Sequence, residues 1–226
     1  MSHRHSLTFH FSYISFINHL IGSLSFLFIF RLLSINHTQA DGAYGWHWQY
    51  LTVIGLTASS ITFLVALLAD ITVSTTLFSV KNKLALCTVP LEVLISVLYW
   101  GLSAIDRKLV VPPGIHVDPF LDIGLHALPA ILLAIDLFFF SPPWNVSFLK
   151  ALGLSSLTAS LYWVWVEHCF SYNGFYPYPI FQLLDTNQRM VLFGFAALLM
   201  TCSTIFLKLL KVKIVLALRG THFTVK

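Results

Sequence analysis

Six apolar runs, each about as long as a bilayer is thick, dictate what this chain can become. They cover about 9–30, 49–71, 84–105, 121–140, 149–170 and 190–210. A helix needs roughly 20 such residues to cross hydrocarbon. Backbone amides find no water there, so only helices and closed barrels span it. Barrel strands are short and alternate in polarity, whereas these runs are long and continuous. The expected fold is an all-α polytopic membrane bundle of about six transmembrane helices, forming a single integral membrane domain over 1–226. Only 10% of the residues are charged, against about a quarter in soluble domains.

The first run is too long for the apolar core of a secretory signal and is not followed by a small-residue cleavage site, so it reads as a retained span. Connections 31–48 and 106–120 carry Asn, Asp, Gly and Pro, and Ser141-Pro142-Pro143 closes the fourth run. Lys and Arg divide unevenly between alternate loops. One side takes Arg4, Lys81, Lys83, Lys150, Lys208, Lys211, Lys213, Arg219 and Lys226; the other takes Arg31, Arg107, Lys108 and Arg189. That asymmetry predicts cytoplasmic termini, in a multi-pass protein of the endoplasmic reticulum or plasma membrane. The basic residues lie at loop ends and in the tail, so no nucleic-acid partner is expected. The sequon Asn36-His37-Thr38 falls in an outer loop on the same count. Cys87, Cys169 and Cys202 lie in three different spans, which predicts buried thiols and no disulfide framework.

Ionisable side chains inside a span are expensive and mark functional sites by default. His126 is one, with Asp122 one helical turn before it on the same face. Pro129 lacks an N–H and frees the carbonyl of Leu125. Asp122, His126, Pro129, Leu133 and Asp136 share a face, which predicts that this face looks into the bundle. Thr52 opens a stripe through Gly55, Ser59, Thr62 and Ala66, a seam that lets helices pack closely. Thr52 and His126 are expected at similar depth in one leaflet. Asp70 and Asp136 are expected near the inner interface, where hydration is cheap, and Glu92 deeper. Glu167 and His168 end the fifth run, as interfacial anchors or within reach of His126. Trp46, Trp48, Tyr50, Tyr172, Phe175, Tyr176 and Tyr178 fit an interfacial aromatic belt. His116, His126, His168, Asp122 and Glu167 could gather at one face, but no motif has metal-ligand spacing. There is no nucleophile elbow, phosphate loop or dinucleotide fingerprint. No metal and no cofactor is expected. On the residues alone, His126 remains open between a structural and a functional role.

Three segments carry a resemblance: Trp48-Gln49-Tyr50-Leu51-Thr52, Leu125-His126-Ala127-Leu128-Pro129 and Asn173-Gly174-Phe175-Tyr176-Pro177-Tyr178-Pro179. With the six-span layout they resemble the androgen-induced gene 1 / FAR-17a-like integral membrane proteins, over roughly 45–210. The resemblance implies a transmembrane threonine hydrolase that cleaves fatty acid esters of hydroxy fatty acids, with Thr52 as nucleophile and His126 as general base. The run LLAIDLFFFSPPW is nearer to fungal members, which leaves the lipid substrate open. A threonine hydroxyl needs an adjacent base to become nucleophilic, and histidine can serve at neutral pH. Triad logic then asks for an orienting acid, for which Asp122 is the candidate, and for an oxyanion donor, for which Asn173 is the candidate. Trp48, Tyr50, Tyr176, Tyr178, Glu167 and His168 are candidates to line the substrate pocket. The expected partners are a lipid ester substrate and membrane lipids. Two other readings stand beside this one: a non-catalytic lipid-binding or regulatory protein, and a small proton-coupled transporter with Glu92, Asp136 and His126 as relay.

Overall fold

A computed structural model describes residues 12–36, 39–112, 114–115 and 117–221, without side-chain detail for 39 and 218–221. His37, Thr38 and His116, and with them the sequon and one of the five gathered ligand candidates, lie outside the described residues. Among the described residues there is no strand. Among them eight α-helices run in the order α1 Tyr13–Ile35, α2 Leu51–Thr72, α3 Thr75–Ile105, α4 Pro119–His126, α5 Leu128–Ile135, α6 Phe148–Asn173, α7 Pro179–Leu183 and α8 Thr186–Thr221. Five of them lie along five of the expected runs, and α4 with α5 lies along the fourth. Helix α3 begins at Thr75 rather than near 84, because the turn after α2 is short and Ser74 caps the next helix by accepting from the N–H of Leu77.

Among the described residues four helices, α1, α2, α3 and α8, are long and apolar enough to cross a membrane, and the bent pair α4–α5 passes the same test only when its two halves are counted as one span. Helix α6 has the length, with 26 residues, but Ser155, Ser156, Thr158, Ser160, Glu167 and His168 lower its hydropathy. The chain is therefore an all-α membrane bundle with four to five candidate spans among the described residues, against which α6 packs chiefly through α8.

The fourth pass departs from a straight helix twice. It bends by 43° between α4 and α5, at Ala127, whose φ of −133° is not helical. Pro129 supplies the cause, since it cannot donate to Leu125. The bend also needs its carbonyls satisfied without water. Helix α3 does this for His126, whose carbonyl accepts from Ser96 Oγ at 2.5 Å and Trp100 Nε1 at 3.3 Å. Further along, Asp136–Phe140 winds as a π-helix before Ser141 ends it, at the Ser-Pro-Pro that the sequence marks as a stop.

Helices α2 and α3 share the most extensive interface. The stripe Thr52, Gly55, Ser59, Thr62 and Ala66 is buried, as a packing seam requires. A Cβ on Gly55 would stand 2.6 Å from Ile95 Cδ1 and 2.8 Å from Glu92 Oε1, so glycine is what lets α3 approach this closely. Of the three free cysteines, Cys169 is buried, Cys87 half-buried and Cys202 exposed. The expectation of three buried thiols fails at Cys202, which faces outward from α8; outside the bundle is apolar lipid, where a thiol needs no protein cover.

Candidate active site

Thr52 is the second residue of α2, and its N–H is one of the donors that a helix start leaves unpaired. The hydroxyl of Tyr178 accepts from it at 3.4 Å. The turn before it is held from α6: Tyr162 Oη donates to the carbonyl of Gln49 at 3.0 Å, and Trp165 Nε1 to that of Trp48 at 2.9 Å. Thr52 itself is buried, 6% exposed.

Thr52 lines a cavity of about 100 Å³ between α2, α3, α6, α7 and α8. Leu94, Leu98, Phe181, Phe193 and Met200 make most of its wall apolar, and the hydroxyl groups on it come from Thr52, Tyr99, Ser155, Thr158, Tyr162 and Tyr178. Burial pushes the Tyr178 phenol up to about 12, so it stays protonated. Its oxygen can therefore accept from Thr52 while its own proton remains free to donate.

His126 ends α4 and is buried, 8% exposed. Its Nδ1 lies 2.9 Å from the carbonyl and 3.0 Å from Oδ1 of Asp122. Those contacts require Nδ1 to carry the proton and leave Nε2 as the basic nitrogen. Asp122 also accepts a short hydrogen bond from the hydroxyl of Tyr99 and lies 3.4 Å from Arg107 Nη2. The ring of Tyr99 stacks on the imidazole. Tyr99 therefore touches both members of the His–Asp pair and also forms part of the wall of the cavity that Thr52 lines. Among the described residues no hydrogen bond joins Thr52 to His126. Tyr99 was not singled out from the sequence; the available signal was a tyrosine inside a span, whose hydroxyl must find a partner.

Asn173 is committed elsewhere. Its amide accepts from the N–H of Tyr44 at 2.7 Å and donates to the carbonyl of Tyr44 at 3.0 Å, which ties the end of α6 to the 39–50 loop. Gly174, with φ +70°, ends the helix there. Of the expected pocket residues, Tyr178 lines the cavity and Tyr50 packs edge-on against it with centroids 5.6 Å apart. Burial also raises the Tyr50 phenol above its ordinary value. Trp48 faces a separate shallow hollow with Gly45, Ile54 and Trp165. His168 contacts Tyr44, whose hydroxyl is 3.2 Å from Nε2. Glu167 accepts from Tyr176 Oη at 2.9 and 3.0 Å and pairs with Arg189 at 3.3 Å. Burial first, and that carboxylate second, push Tyr176 up to about 12. The aromatic belt is thus only partial: Trp46, Trp48 and Tyr172 are exposed, whereas Tyr176 is buried.

The other intramembrane acids belong to separate sets. Glu92 accepts from Ser59 Oγ at 2.8 Å. Asp70 and Asp136 are each 1% exposed and are joined through His19. The expectation that hydration stabilises these two is overturned: protein donors surround them instead. Lys81, counted above as a loop charge, is buried in α3 and paired with Asp136 at 2.8 Å. Three disconnected sets do not make the relay of Glu92, Asp136 and His126. Among the described residues no group of three or more His, Cys, Asp and Glu side chains has the geometry to hold a metal ion.

The comparisons with known proteins agree with this architecture. Residues 14–212 match the model of the FAR-17a/AIG1-like protein family. The chain is 35% identical over 198 residues to a UPF0641 membrane protein of Schizosaccharomyces pombe, covering 86% of this chain and 89% of that one. It is 27% identical over 176 residues to the human androgen-induced gene 1 protein, covering 70% and 73%. No solved structure matches. A match over nearly the whole bundle, with a relative of similar length, makes this chain a multi-pass membrane protein of the FAR-17a/AIG1-like family.

Proposed function

We propose that this protein is a membrane-embedded lipid ester hydrolase, of the type that cleaves fatty acid esters of hydroxy fatty acids, with Thr52 as nucleophile and His126 as general base. The observation that carries the reading is the position of Tyr99. It shares an apolar cavity with Thr52, and it is stacked on a histidine whose Nδ1 is fixed by an acid.

In this reading the acyl chain of the ester lies against the leucines and phenylalanines of the cavity. Nε2 of His126 takes the Thr52 hydroxyl proton as Oγ1 attacks the carbonyl carbon. The tetrahedral intermediate collapses, and the imidazolium returns that proton to the departing alkoxide, releasing the hydroxy lipid. Water, deprotonated by the same nitrogen, then cleaves the acyl-threonine to a free fatty acid. Contacts of this kind often tighten only when substrate is bound. Asp122 holds the imidazole in the tautomer that leaves Nε2 basic. With Asn173 engaged by Tyr44, the Tyr178 hydroxyl is the side-chain donor that touches Thr52, and it takes the oxyanion role. The Lys and Arg asymmetry, even without the buried Lys81, supports a reading in which this end of the bundle lies in the non-cytoplasmic leaflet and both termini are cytoplasmic.

Labelling of the purified protein by a fluorophosphonate tests this directly. Wild type is expected to label, and Thr52→Ala and His126→Ala to lose both labelling and hydrolysis of a lipid ester in proteoliposomes. Equal labelling and turnover in Thr52→Ala would overturn the assignment.

A further inference from the structure

A second buried polar centre lies at the opposite end of the bundle. Asp70 is on α2 with Thr52, and the stretch from 52 to 70 is about 27 Å of helix. The centre draws on α1, α2, α3 and the π-helical turn. His19 Nδ1 is 2.6 Å from Asp70 Oδ2, and its Nε2 is 2.8 Å from Asp136 Oδ1. Lys81 Nζ donates to both oxygens of Asp136, at 2.8 and 2.9 Å, and to Ser141 Oγ at 2.9 Å. Ser141 Oγ is 3.0 Å from Asp136 Oδ2, and Ser15 Oγ lies 3.1 Å from each oxygen of Asp70. The edges of Phe63 and Phe140 close over the imidazole. Lys211, also buried, points its ammonium at the carbonyl of Phe138, 2.8 Å away.

The proton count of this arrangement is informative. An ionised carboxylate only accepts, and a neutral imidazole has one N–H. Two nitrogen-to-carboxylate contacts therefore need two protons, and the ring brings one. Asp136 already receives an ammonium and is the acceptor for Nε2–H. The 2.6 Å contact between Nδ1 and Asp70 would otherwise oppose two lone pairs. It needs a further proton, on the nitrogen or on the carboxyl.

We propose that Asp70, His19 and Asp136 form a proton-binding site, in which one proton taken up by the folded protein bridges Asp70 to His19 and latches α1 and the π-helical turn onto α2 and α3. The site holds the far end of the broken pass whose near end carries His126. It stands independently of the proposed hydrolase activity.

Nitrogen-15 NMR of the histidine-labelled full chain in nanodiscs, with His19 assigned by His19→Gln, reads the proton. The expected result is an imidazole protonated at both nitrogens, or a single-protonated ring together with a carboxyl infrared band that Asp70→Asn removes. A ring with one bare nitrogen and no such band overturns the proposal. A second measurement follows thermal unfolding against pH. The amide of Asp70→Asn donates to Nδ1 of a neutral ring, so that variant needs no extra proton. Wild-type Tm should fall as rising pH strips the bridge, with a slope about one proton steeper than in Asp70→Asn. Equal slopes overturn the proposal, and His19→Gln replaces Asp70→Asn in this comparison if the latter does not fold.

Discussion

The ring of Tyr99 lies flat on the imidazole of His126, with centroids 3.4 Å apart and planes 2° from parallel, while its hydroxyl is bonded to Asp122. One side chain from α3 thus fixes the plane of the histidine and engages the acid that fixes its tautomer. Tyr99→Phe keeps the stack and deletes the hydrogen bond. It should cost about 1.5–3 kcal/mol, the usual worth of a bond to a charged group, read as a lowered Tm in detergent. A wild-type Tm would show that the hydroxyl contributes nothing.

Asp122→Asn separates charge from folding. The amide fills the same space and the backbone carbonyl still holds Nδ1–H, but the negative charge that stabilises the imidazolium is gone. Hydrolysis should fall by about two to four orders of magnitude, the range for a disabled general base, while circular dichroism stays helical. Wild-type turnover would remove Asp122 from the mechanism.

Lys81→Met leaves Asp136 buried without its ammonium. Breaking a buried pair by removing one partner typically costs about 3–5 kcal/mol. The double variant Lys81→Met with Asp136→Asn, which removes both charges and leaves an amide oxygen to accept from His19, should lose less than Lys81→Met alone. A double variant weaker than the single one would contradict this account of the pair.

Tyr176 offers an alkaline marker outside the spans. Its phenol is pushed up to about 12, whereas an ordinary tyrosine titrates near 10. Because the folded value is the higher, the folded protein holds this proton more tightly. The resulting stability is present below about pH 10 and is lost as pH rises toward 12. Unfolding of wild type and Tyr176→Phe should therefore differ by a constant amount up to about pH 10 and converge above it. A difference independent of pH would mean that the bond to Glu167 does not depend on the phenolic proton.

What the sequence discloses and what it hides divide along physical lines. Run length and apolar content foretold the helical passes, since a spanning helix meets its needs locally. The inward face Asp122, His126, Pro129, Leu133 and Asp136 is buried as its spacing predicts. Pro129 pointed to a disturbed helix, but neither the size of the bend nor the π-helical turn follows from one residue. Partners escaped most often. Asp136 meets His19 across 117 residues and Lys81 across 55, and no local pattern encodes such pairs. Lys81 counts as a loop charge in the sequence because its partner Asp136, which lets the ammonium be buried, is 55 residues away. Asn173 looks like a free amide beside a site in the sequence, yet Tyr44 and Gln49, which only the folded loop brings near, take its hydrogen bonds. Tyr99 escaped for the same reason: its partners Asp122 and His126 come from α4, and the cavity wall it shares with Thr52 is assembled from several helices.

The bond between the N–H of Thr52 and the hydroxyl of Tyr178 spans 126 residues. A ribosome adding about 5–20 residues per second takes roughly 6–25 s to cover that distance. Helices α2 and α3 therefore wait in the membrane before α6 and the 174–178 segment arrive to close the wall around the threonine. Maturation of this pocket is a late event in synthesis, and a chain truncated before Tyr178 would carry Thr52 without the wall that encloses it.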